Sequence, residues 1–565
     1  MSRLPSSPDV FSEAGWDDIR PYYEELVARP LDKDDVEEWL DDWSRLESLI
    51  SEAAALAAYA YRCNTADPAL EAAQIRFGSE IGPRAHEQSA KLQRRLVELG
   101  YVRPGLEAMV SRFRNQAELF KEANVPLFAD LSRLITEWSK ASGALTVRWN
   151  GGEMTPAQLL PFLESSDRSE RESAFKLRAE AFIAQRDVFA GMFDRMHDLR
   201  QQVARNAGFE NFRDYTHLEK NRFDYTVEDC MRFHAAVEEA VLPAVNRILG
   251  RRRREMGLEA LRPWDTAADP KGRPALKPFQ SADELVGRTS AVLGNVDQDF
   301  RRYLDAMADA RLLDLENRKG KAPGGYSTTL NFRKMPLIFM NAVGIDDDVR
   351  TLLHESGHAF HSFEASRLPL LFQRHPGSEM AEVASMSMEL LAAPYLDRGH
   401  GGYYTDDQAR RSQRELLEGT ILFFPHCASV DAFQHWIYTD PKGRDAVARD
   451  AMWLELRRRF EGDAVDWSGL DRERIARWYQ QPHFFSSPFY YIEYGIAQLG
   501  ALQVWRNSLR SQAGAVRSYR GALALGATER LPALFAAAGA RLIFDADGMR
   551  ELVEVVEERL SELDA

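Results

Sequence analysis

Two histidines four residues apart constrain this chain more than any other feature of its sequence. Residues 354–358 read His-Glu-Ser-Gly-His, and positions four apart lie one turn along the same face of an α-helix. If this segment is helical, His354 and His358 can both point a ring nitrogen at one metal ion. Glu355 lies about 100° from His354 and about 60° from His358 around the helix, near enough to hold a water beside that metal. The spacing predicts a zinc hydrolase; the alternative is a chance match of three solvated polar residues.

The flanking residues indicate a helix that is buried on one side. Three aspartates at 346–348 suit the positive end of a helix dipole and offer an N-cap. Four apolar residues fall on the side opposite the two histidines, namely Leu352, Ala359, Phe360 and Phe363. Gly357 costs about 1 kcal/mol relative to alanine inside a helix, so we expect another backbone to approach it closely.

A catalytic zinc ion takes three protein ligands, so a third ligand has to be found. His361 is on the same stripe, but it is about 10 Å along the axis from His354, too far to share an ion held at about 2 Å by each nitrogen. We expect His361 instead to be a groove residue or an ordinary buried histidine. A second helix predicted from Ser378 presents three acids on one face, Glu379, Glu382 and Glu389. The spacing alone does not choose among them.

The residues around these motifs make the sequence similar to a known family. His354-Glu-Ser-Gly-His-Ala-Phe-His361 followed by Glu382-Val-Ala-Ser385 resembles the thimet oligopeptidase and oligoendopeptidase F family of zinc metallopeptidases, and most closely its bacterial oligoendopeptidase branch. Further matching segments are residues 221–226 (Asn-Arg-Phe-Asp-Tyr-Thr), 261–265 (Leu-Arg-Pro-Trp-Asp), 320–326 (Gly-Lys-Ala-Pro-Gly-Gly-Tyr) and 487–494 (Ser-Pro-Phe-Tyr-Tyr-Ile-Glu-Tyr). The resemblance implies that Glu382 is the third ligand and that each chain binds one Zn²⁺.

A segment rich in aromatic residues, 482–494, supplies the candidates for stabilising an oxyanion. Ser487 and Pro488 suit an N-cap and a first helical turn, and tyrosines spaced by three are ordinarily a core stripe. The resemblance implies a different role, because related peptidases use a histidine and a tyrosine pair to bind substrate and stabilise the tetrahedral intermediate. The matching residues are His483, Tyr491 and Tyr494, with Tyr490 as a rival to Tyr491.

Two further residues, Glu389 and Tyr326, have two open interpretations each. Glu389 either accepts the free ring hydrogen of a zinc-bound histidine or is a buried acid paired with an arginine. Tyr326, in a Gly-Gly-Tyr loop, either contacts substrate, as the resemblance implies, or belongs to an ordinary turn. We also assign His361 to substrate binding, as a residue of the groove, and Glu379 to the start of its helix.

The remaining sequence predicts a mainly α-helical fold. Charged and apolar residues alternate at helical spacing over 35–61, 83–99, 156–205 in pieces, 227–256 and 548–563. Short apolar or β-branched runs at 312–315, 325–330 and 337–343 predict a small β-sheet beside the zinc-binding helix. An exposed edge of that sheet could pair with an extended peptide.

The resemblance extends this expectation to the architecture. It implies a large helical two-lobed ellipsoid, a neurolysin-like fold, with a deep central substrate groove. We expect residues 1–205 to form an N-terminal helical region and one wall of the groove, and residues 206–565 to form the catalytic region.

Composition fits such an enzyme and argues against other classes. The 565 residues are 28% charged and 45% hydrophobic, as in ordinary globular proteins, and a net charge of −15 argues against nucleic acid and anionic membranes. Three widely separated cysteines indicate no disulfide framework. The N-terminal residues lack the apolar run of a signal peptide, so we expect a cytoplasmic protein. The sequence does not distinguish a monomer from a homo-oligomer.

The predicted function is that of a zinc metalloendopeptidase acting on short, unfolded oligopeptides, with Glu355 as general base. One alternative is a zinc carboxypeptidase or dipeptidase of a related helical fold. The other is a non-catalytic peptide-binding protein, which we expect to have lost a ligand or the glutamate base; all four of those residues are present here.

Overall fold

Helices make up most of the chain, as the spacing of apolar residues predicts. The computed structural model describes residues 4–564, and 70% of these residues are helical. In chain order the α-helices are α1 (Trp16–Ala28), α2 (Val36–Cys63), α3 (Pro68–Ile75), α4 (Gly82–Leu99), α5 (Glu107–Leu119), α6 (Val125–Gly143), α7 (Arg168–Ile183), α8 (Arg186–Asn206), α9 (Phe212–Glu219), α10 (Val227–Ala236), α11 (Leu242–Glu255), α12 (Ala282–Val296), α13 (Gln298–Asp309), α14 (Asp346–Ala365), α15 (Ser378–Ala392), α16 (Asp406–Thr439), α17 (Ala446–Glu461), α18 (Asp471–Tyr479), α19 (His483–Ser486), α20 (Tyr491–Arg510), α21 (Gln512–Ala524), α22 (Leu531–Ala537) and α23 (Ala546–Asp564). The mainly α fold class is confirmed. Within residues 4–564, no helix combines the length and hydropathy needed to cross a bilayer.

The chain forms two compact units, and each is assembled from three separate segments. The first unit comprises the residues up to Glu118, Leu276–Gln413 and Ala497–Leu542; the second comprises Leu119–Ala275, Arg414–Ile496 and the residues from Ile543 onward. Residue 205, where we expect a functional boundary, lies within α8 in the second unit. The assignment of groove wall and catalytic region to residues 1–205 and 206–565 stays a prediction.

The predicted small sheet is present in the first unit. Its strands are β3 (Leu313–Glu316), β4 (Tyr326–Leu330) and β5 (Met335–Ala342), after a separate hairpin of β1 (Val147–Trp149) and β2 (Gly152–Met154) in the second unit. The strand order is β3-β5-β4, with β3 parallel and β4 antiparallel to β5. The central strand is buried from Leu337 to Met340. Strand β4 forms one edge of the sheet, and the hydroxyl of its Thr329 lies 2.7 Å from that of Ser362 on α14.

Helix α14 begins at Asp346, as predicted, but its N-cap is not one of the acids. The cap residue is Ile345, and the three aspartates occupy the first turn. Oδ2 of Asp348 accepts hydrogen bonds from the backbone N–H groups of Val343, Gly344 and Ile345 at 2.8 to 2.9 Å. One carboxylate therefore satisfies the donors at the turn between β5 and α14, which fixes where the helix begins.

The apolar side of α14 packs as its pattern predicts. The ring of Phe360 stacks on Phe300 of α13 at 4.8 Å, and that of Phe363 stacks on Tyr303 at 4.5 Å. On another side, the backbone of α15 approaches Gly357, where an added Cβ would lie 2.5 Å from the carbonyl oxygen of Ala384. The expectation of a close backbone approach at Gly357 is confirmed.

Three predicted helical segments differ from the observed structure, and a proline explains one of the differences. Residues Leu160–Glu164 form a 3₁₀ turn rather than an α-helix. The predicted helix over 227–256 widens to a π turn at Val237–Val241 ahead of Pro243. Ser487 is not an N-cap: Phe489 adopts a positive φ of 62°, and helix α20 begins only at Tyr491.

Candidate metal centre and the histidine-tyrosine cluster

Helices α14 and α15 bring three metal-ligating side chains together within the first unit. Nε2 of His354 lies 3.4 Å and Nε2 of His358 lies 3.6 Å from the same oxygen of Glu382. In the part of the chain that the structure describes, these three residues form a group whose ligand atoms all lie within 4.8 Å of one another, and Glu379 is not in it. The helical spacing of the two histidines and the close contact at Gly357 produce this convergence.

The separations of these atoms fit a zinc ion. Ligand atoms held at about 2.1 Å in a tetrahedral arrangement lie about 3.4 Å apart, which matches the two distances to Glu382. Two imidazoles and one carboxylate are also a donor set that zinc accepts in catalytic sites. Three protein ligands leave the fourth position of a tetrahedral ion available for water or substrate.

Two hydrogen bonds orient the ligands. Nδ1 of His354 lies 2.7 Å from Oε1 of Glu389, so the carboxylate accepts the ring hydrogen and leaves Nε2 directed at Glu382. The hydroxyl of Ser385 donates to Glu382 at 2.9 Å. Burial lowers the pKa of His354, but the carboxylates of Glu382 and Glu389 outweigh it and raise that pKa well above its usual value. The site therefore attracts positive charge at Nε2.

Glu355 follows His354 on α14 but is not one of the three residues of this group. Its side chain is buried, and burial raises the pKa of the carboxyl to about 7, against the opposing charge of His354. The backbone N–H of Ser327 on β4 donates to the carboxylate. A carboxyl that titrates near neutral pH can both accept and return a proton at that pH.

His361 and Tyr326, two residues of the first unit that we expect to contact substrate, each have a buried polar atom. His361 is 5% exposed, and burial lowers its pKa to about 3. Among residues 4–564, neither Nε2 of His361 nor the hydroxyl of Tyr326 has a hydrogen-bond partner. The ring of Tyr326 lies between Phe339, at 5.3 Å, and the guanidinium of Arg62, at 5.1 Å.

The second unit contains the predicted histidine and tyrosines, and it packs them together. The ring centroid of His483 lies 4.9 Å from that of Tyr491 and 6.0 Å from those of Tyr490 and Tyr494. Burial lowers the pKa of His483 to about 4, and the charge of Lys220 adds to this effect. Burial raises the pKa of Tyr491 to about 12. The imidazole of His483 and the phenol of Tyr491 are therefore neutral near pH 7.

Comparison with known families identifies the chain. The model of the peptidase family M3 matches residues 162–554, and that of the M3 N-terminal domain matches residues 11–101. The chain belongs to peptidase family M3. The resemblance inferred from the zinc-site motifs is thereby confirmed.

Relatives of this M3 chain are oligopeptidases by name. It is 23% identical to the oligopeptidase PepF of Bacillus subtilis over 390 residues, which span 67% of this chain and 55% of that protein. It is 23% identical to an oligoendopeptidase F homolog of Borreliella burgdorferi over 425 residues, 72% of this chain and 68% of that one. A solved structure of Pz peptidase A with an inhibitor superimposes with a TM-score of 0.88 and 26% identity, covering 98% and 99% of the two chains.

Two groups in this M3 chain were missed by the sequence analysis. The first group is a series of hydrogen bonds that ends at His483. Gln481 is bonded to His483, His426 to Gln481, and Arg457 to His426. Asp431 is buried and accepts hydrogen bonds from His234 at 2.8 Å and His435 at 3.1 Å, beside Cys230. These residues are up to about 200 positions apart and follow no periodic pattern. The glutamine directly before Pro482 and His483 was the one local signal available.

Proposed function

We propose that this chain is a zinc metalloendopeptidase that hydrolyses internal bonds of short, unfolded oligopeptides. One observation carries the proposal: within the first unit, His354, His358 and Glu382 converge at zinc-ligand separations. The buried carboxyl of Glu355 lies on the same helix as the two histidines. Membership of peptidase family M3 and the oligopeptidase names of the relatives support the same reaction.

The three ligands would hold one zinc ion per chain. When bound there, zinc polarises the scissile carbonyl and makes the attacking water more acidic. Glu355 accepts the proton of that water and then donates it to the leaving amine. Its near-neutral pKa suits both steps, because the carboxyl is a strong enough base for the first and a strong enough acid for the second. Glu389 keeps His354 in the tautomer that offers Nε2.

His483, Tyr491 and Tyr494 are the proposed donors to the oxyanion that forms when water attacks the carbonyl. Their support is the family resemblance together with the packing of the three rings in one cluster. Neutral imidazole and phenol groups donate hydrogen bonds without adding a buried charge, which suits a group that is needed only as charge develops in the transition state.

The proposed contacts with the peptide substrate are supported by the family resemblance and by one edge of the small sheet. Tyr490, Tyr326 and His361 are the proposed peptide-binding residues. In the described residues β4 pairs only with β5, so its other edge could pair with an extended peptide through main-chain hydrogen bonds. Such pairing makes little demand on side-chain sequence, which fits an enzyme for varied oligopeptides.

We place the enzyme in the cytoplasm. Its three cysteines are unpaired, as is usual in a reducing compartment. The net charge of −15 disfavours binding to nucleic acid.

Paired substitutions test the proposal. Glu355→Gln should keep stoichiometric zinc while kcat falls about 100-fold to 10,000-fold, because the base is lost but the ligands remain. Glu382→Ala should lose zinc as measured by metal analysis. The matched control Glu455→Gln, at an exposed position of α17, should change neither quantity. Full activity in Glu355→Gln would refute the assignment of the base, and full zinc content in Glu382→Ala would point to Glu379 or Glu389 as the ligand.

A further inference from the structure

A row of hydrogen bonds leads from a buried arginine to His483 within the second unit. Nη1 of Arg457 lies 2.9 Å from Nδ1 of His426, and Nε2 of His426 lies 3.3 Å from Oε1 of Gln481. Nε2 of Gln481 lies 2.5 Å from Nδ1 of His483. Four side chains from α17, α16, the loop after α18, and α19 are thus joined in series.

The arginine at the far end is held firmly. Arg457 is 2% exposed and forms an ion pair with Glu461 one turn further along α17. Glu461 also pairs with Arg474 and Arg477, so its carboxylate fixes three guanidinium groups. The guanidinium of Arg457, at which the row begins, is therefore held in place.

Because a guanidinium can only donate, it sets the direction of every bond in the row. Nδ1 of His426 must accept from Arg457, so the ring hydrogen of neutral His426 is on Nε2. That hydrogen points to Oε1 of Gln481, and the amide nitrogen of Gln481 then faces His483. A flipped Gln481 amide would present its N–H to Nε2 of His426, which would leave that ring without a hydrogen on either nitrogen.

We infer that Gln481, held by His426 and Arg457, fixes His483 as the tautomer with its hydrogen on Nε2. Nδ1 of His483 accepts from the Gln481 amide and cannot carry a hydrogen at the same time. Gln481 is a positioning residue, since it acts through His483. Among the described residues, none accepts a hydrogen bond from Nε2 of His483, so this N–H is available to a ligand.

The consequence for catalysis rests on the proposed function. A histidine that donates to an oxyanion needs its N–H at the reacting carbonyl before the charge forms, and a fixed tautomer provides this without reorganisation. With the other tautomer, a lone pair would face the developing negative charge. The row of bonds thus decides whether His483 stabilises or opposes the transition state.

The tautomer can be measured directly by NMR on the zinc-loaded enzyme labelled with ¹⁵N-histidine. Long-range couplings between ring protons and nitrogens identify which nitrogen carries the hydrogen, and His483→Gln assigns the signals. At neutral pH we expect His483 to have a protonated Nε2 and an unprotonated Nδ1. A protonated Nδ1, or signals averaged over the two tautomers, would overturn the inference whatever the activity.

A single substitution should reverse the tautomer. In Gln481→Glu the carboxylate can accept from Nε2 of His426 and from Nδ1 of His483 together, so we expect the hydrogen of His483 to move to Nδ1. Gln480→Glu makes the same chemical change one residue earlier and should leave the His483 signals in place. Unchanged signals in Gln481→Glu would show that the amide does not control the ring. If Gln481→Glu does not fold, the spectrum of the unsubstituted enzyme decides alone.

Activity separates this inference from the proposed function. We expect Gln481→Glu to lower kcat about 100-fold or more, as loss of one oxyanion donor does, with little change in KM, while Gln480→Glu keeps its activity. A reversed tautomer with unchanged kcat would uphold the row of bonds and remove His483 from catalysis. An enzyme without peptidase activity but with the expected tautomer would refute the proposed function only.

Discussion

The contact between His354 and Glu389 has consequences beyond one hydrogen bond. Of the two interpretations open for Glu389, the structure shows the histidine contact, at 2.7 Å from Nδ1. A ligating imidazole whose second nitrogen donates to a carboxylate is held in one tautomer and is a more basic ligand. Under the proposed function, the affinity for zinc should therefore depend on Glu389, which is not one of the three candidate ligands.

Glu389→Gln should weaken zinc binding without abolishing it. The amide oxygen can still accept from Nδ1, but it lacks the charge that raises the basicity of the ring, so we expect the dissociation constant to rise about 10-fold to 100-fold. Competition with a chelating dye measures the change. Glu379→Gln, the same change on the same helix, should leave the affinity as it is. Equal affinity in Glu389→Gln and the unsubstituted chain would contradict the orienting role.

At the scale of single residues, only those candidate site residues that lie close together in the sequence could be predicted from their spacing. His354, Glu355 and His358 follow from helical geometry alone. Glu382 required the family resemblance, because three glutamates share one face of α15. The partners of His483 could not be predicted: His426 and Arg457 are 31 positions apart in the chain, and nothing in the sequence shows which buried polar groups meet.

At the scale of elements, the metal ligands depend on the close packing of α14 against α15. A Cβ at Gly357 would lie 2.5 Å from the carbonyl oxygen of Ala384 and 2.6 Å from Cα of Ser385. Both are backbone atoms and cannot rotate away. The hydroxyl of Tyr519 on α21 also donates to the Ala384 carbonyl at 2.7 Å. This hydrogen bond further restrains the position of α15.

Gly357→Ala should therefore separate the two helices and impair zinc binding. Alanine ordinarily stabilises a helix by about 1 kcal/mol relative to glycine, but here we expect the free energy of unfolding to fall by about 1–3 kcal/mol, as overpacking usually causes. Thermal unfolding and metal analysis measure both effects.

Gly287→Ala is the matched control for that change. Gly287 lies in α12 of the same unit, and nothing lies within 4 Å of an added Cβ, so this variant should be as stable as the unsubstituted chain or slightly more so. If Gly357→Ala were equally stable and kept its zinc, the close approach would not govern the site.

The elements themselves were largely predictable, and their exceptions have physical causes. The strands and most of the helical segments for which bounds were predicted lie within a few residues of those bounds, because burial of one face imposes a regular period. The predicted helix start at Ser487 was wrong, because Phe489 adopts a left-handed backbone conformation and α20 begins only after it. A hydrogen bond from its N–H to Gln434 at 2.6 Å holds that turn, and such a tertiary contact leaves no mark in the local sequence.

At the scale of the whole molecule, the second unit buries several neutral histidines. Burial lowers the pKa of each of five rings below the usual 6.5: His197, His217, His234, His426 and His483. The unfolded chain takes up protons on these rings as pH falls through about 6.5, while the folded chain resists them. Their contribution to stability is thus complete above pH 6.5 and declines as pH falls towards about 4.

We therefore expect these five rings to make the metal-free protein less stable at pH 5.0 than at pH 7.5, while the raised pKa values of His354 and Glu355 act in the opposite direction. Each ring that is protonated only on unfolding contributes up to about 1.4 kcal/mol per pH unit. The midpoint of guanidinium-induced unfolding, measured with a chelator present, should fall accordingly. His197→Gln should reduce the difference between the two pH values, because it removes one of these rings. An unchanged difference between the two pH values in His197→Gln would contradict the account of burial.

Cleavage of one peptide blocked at both ends tests the central claim most directly. With zinc present, mass spectrometry should find fragments cut at internal bonds, and these should disappear when the metal is removed by chelation and return when zinc is restored. A blocked peptide that stays intact while its unblocked form loses terminal residues would instead identify an exopeptidase. Internal cleavage that persists without metal would contradict the assignment of His354, His358 and Glu382 to a catalytic zinc.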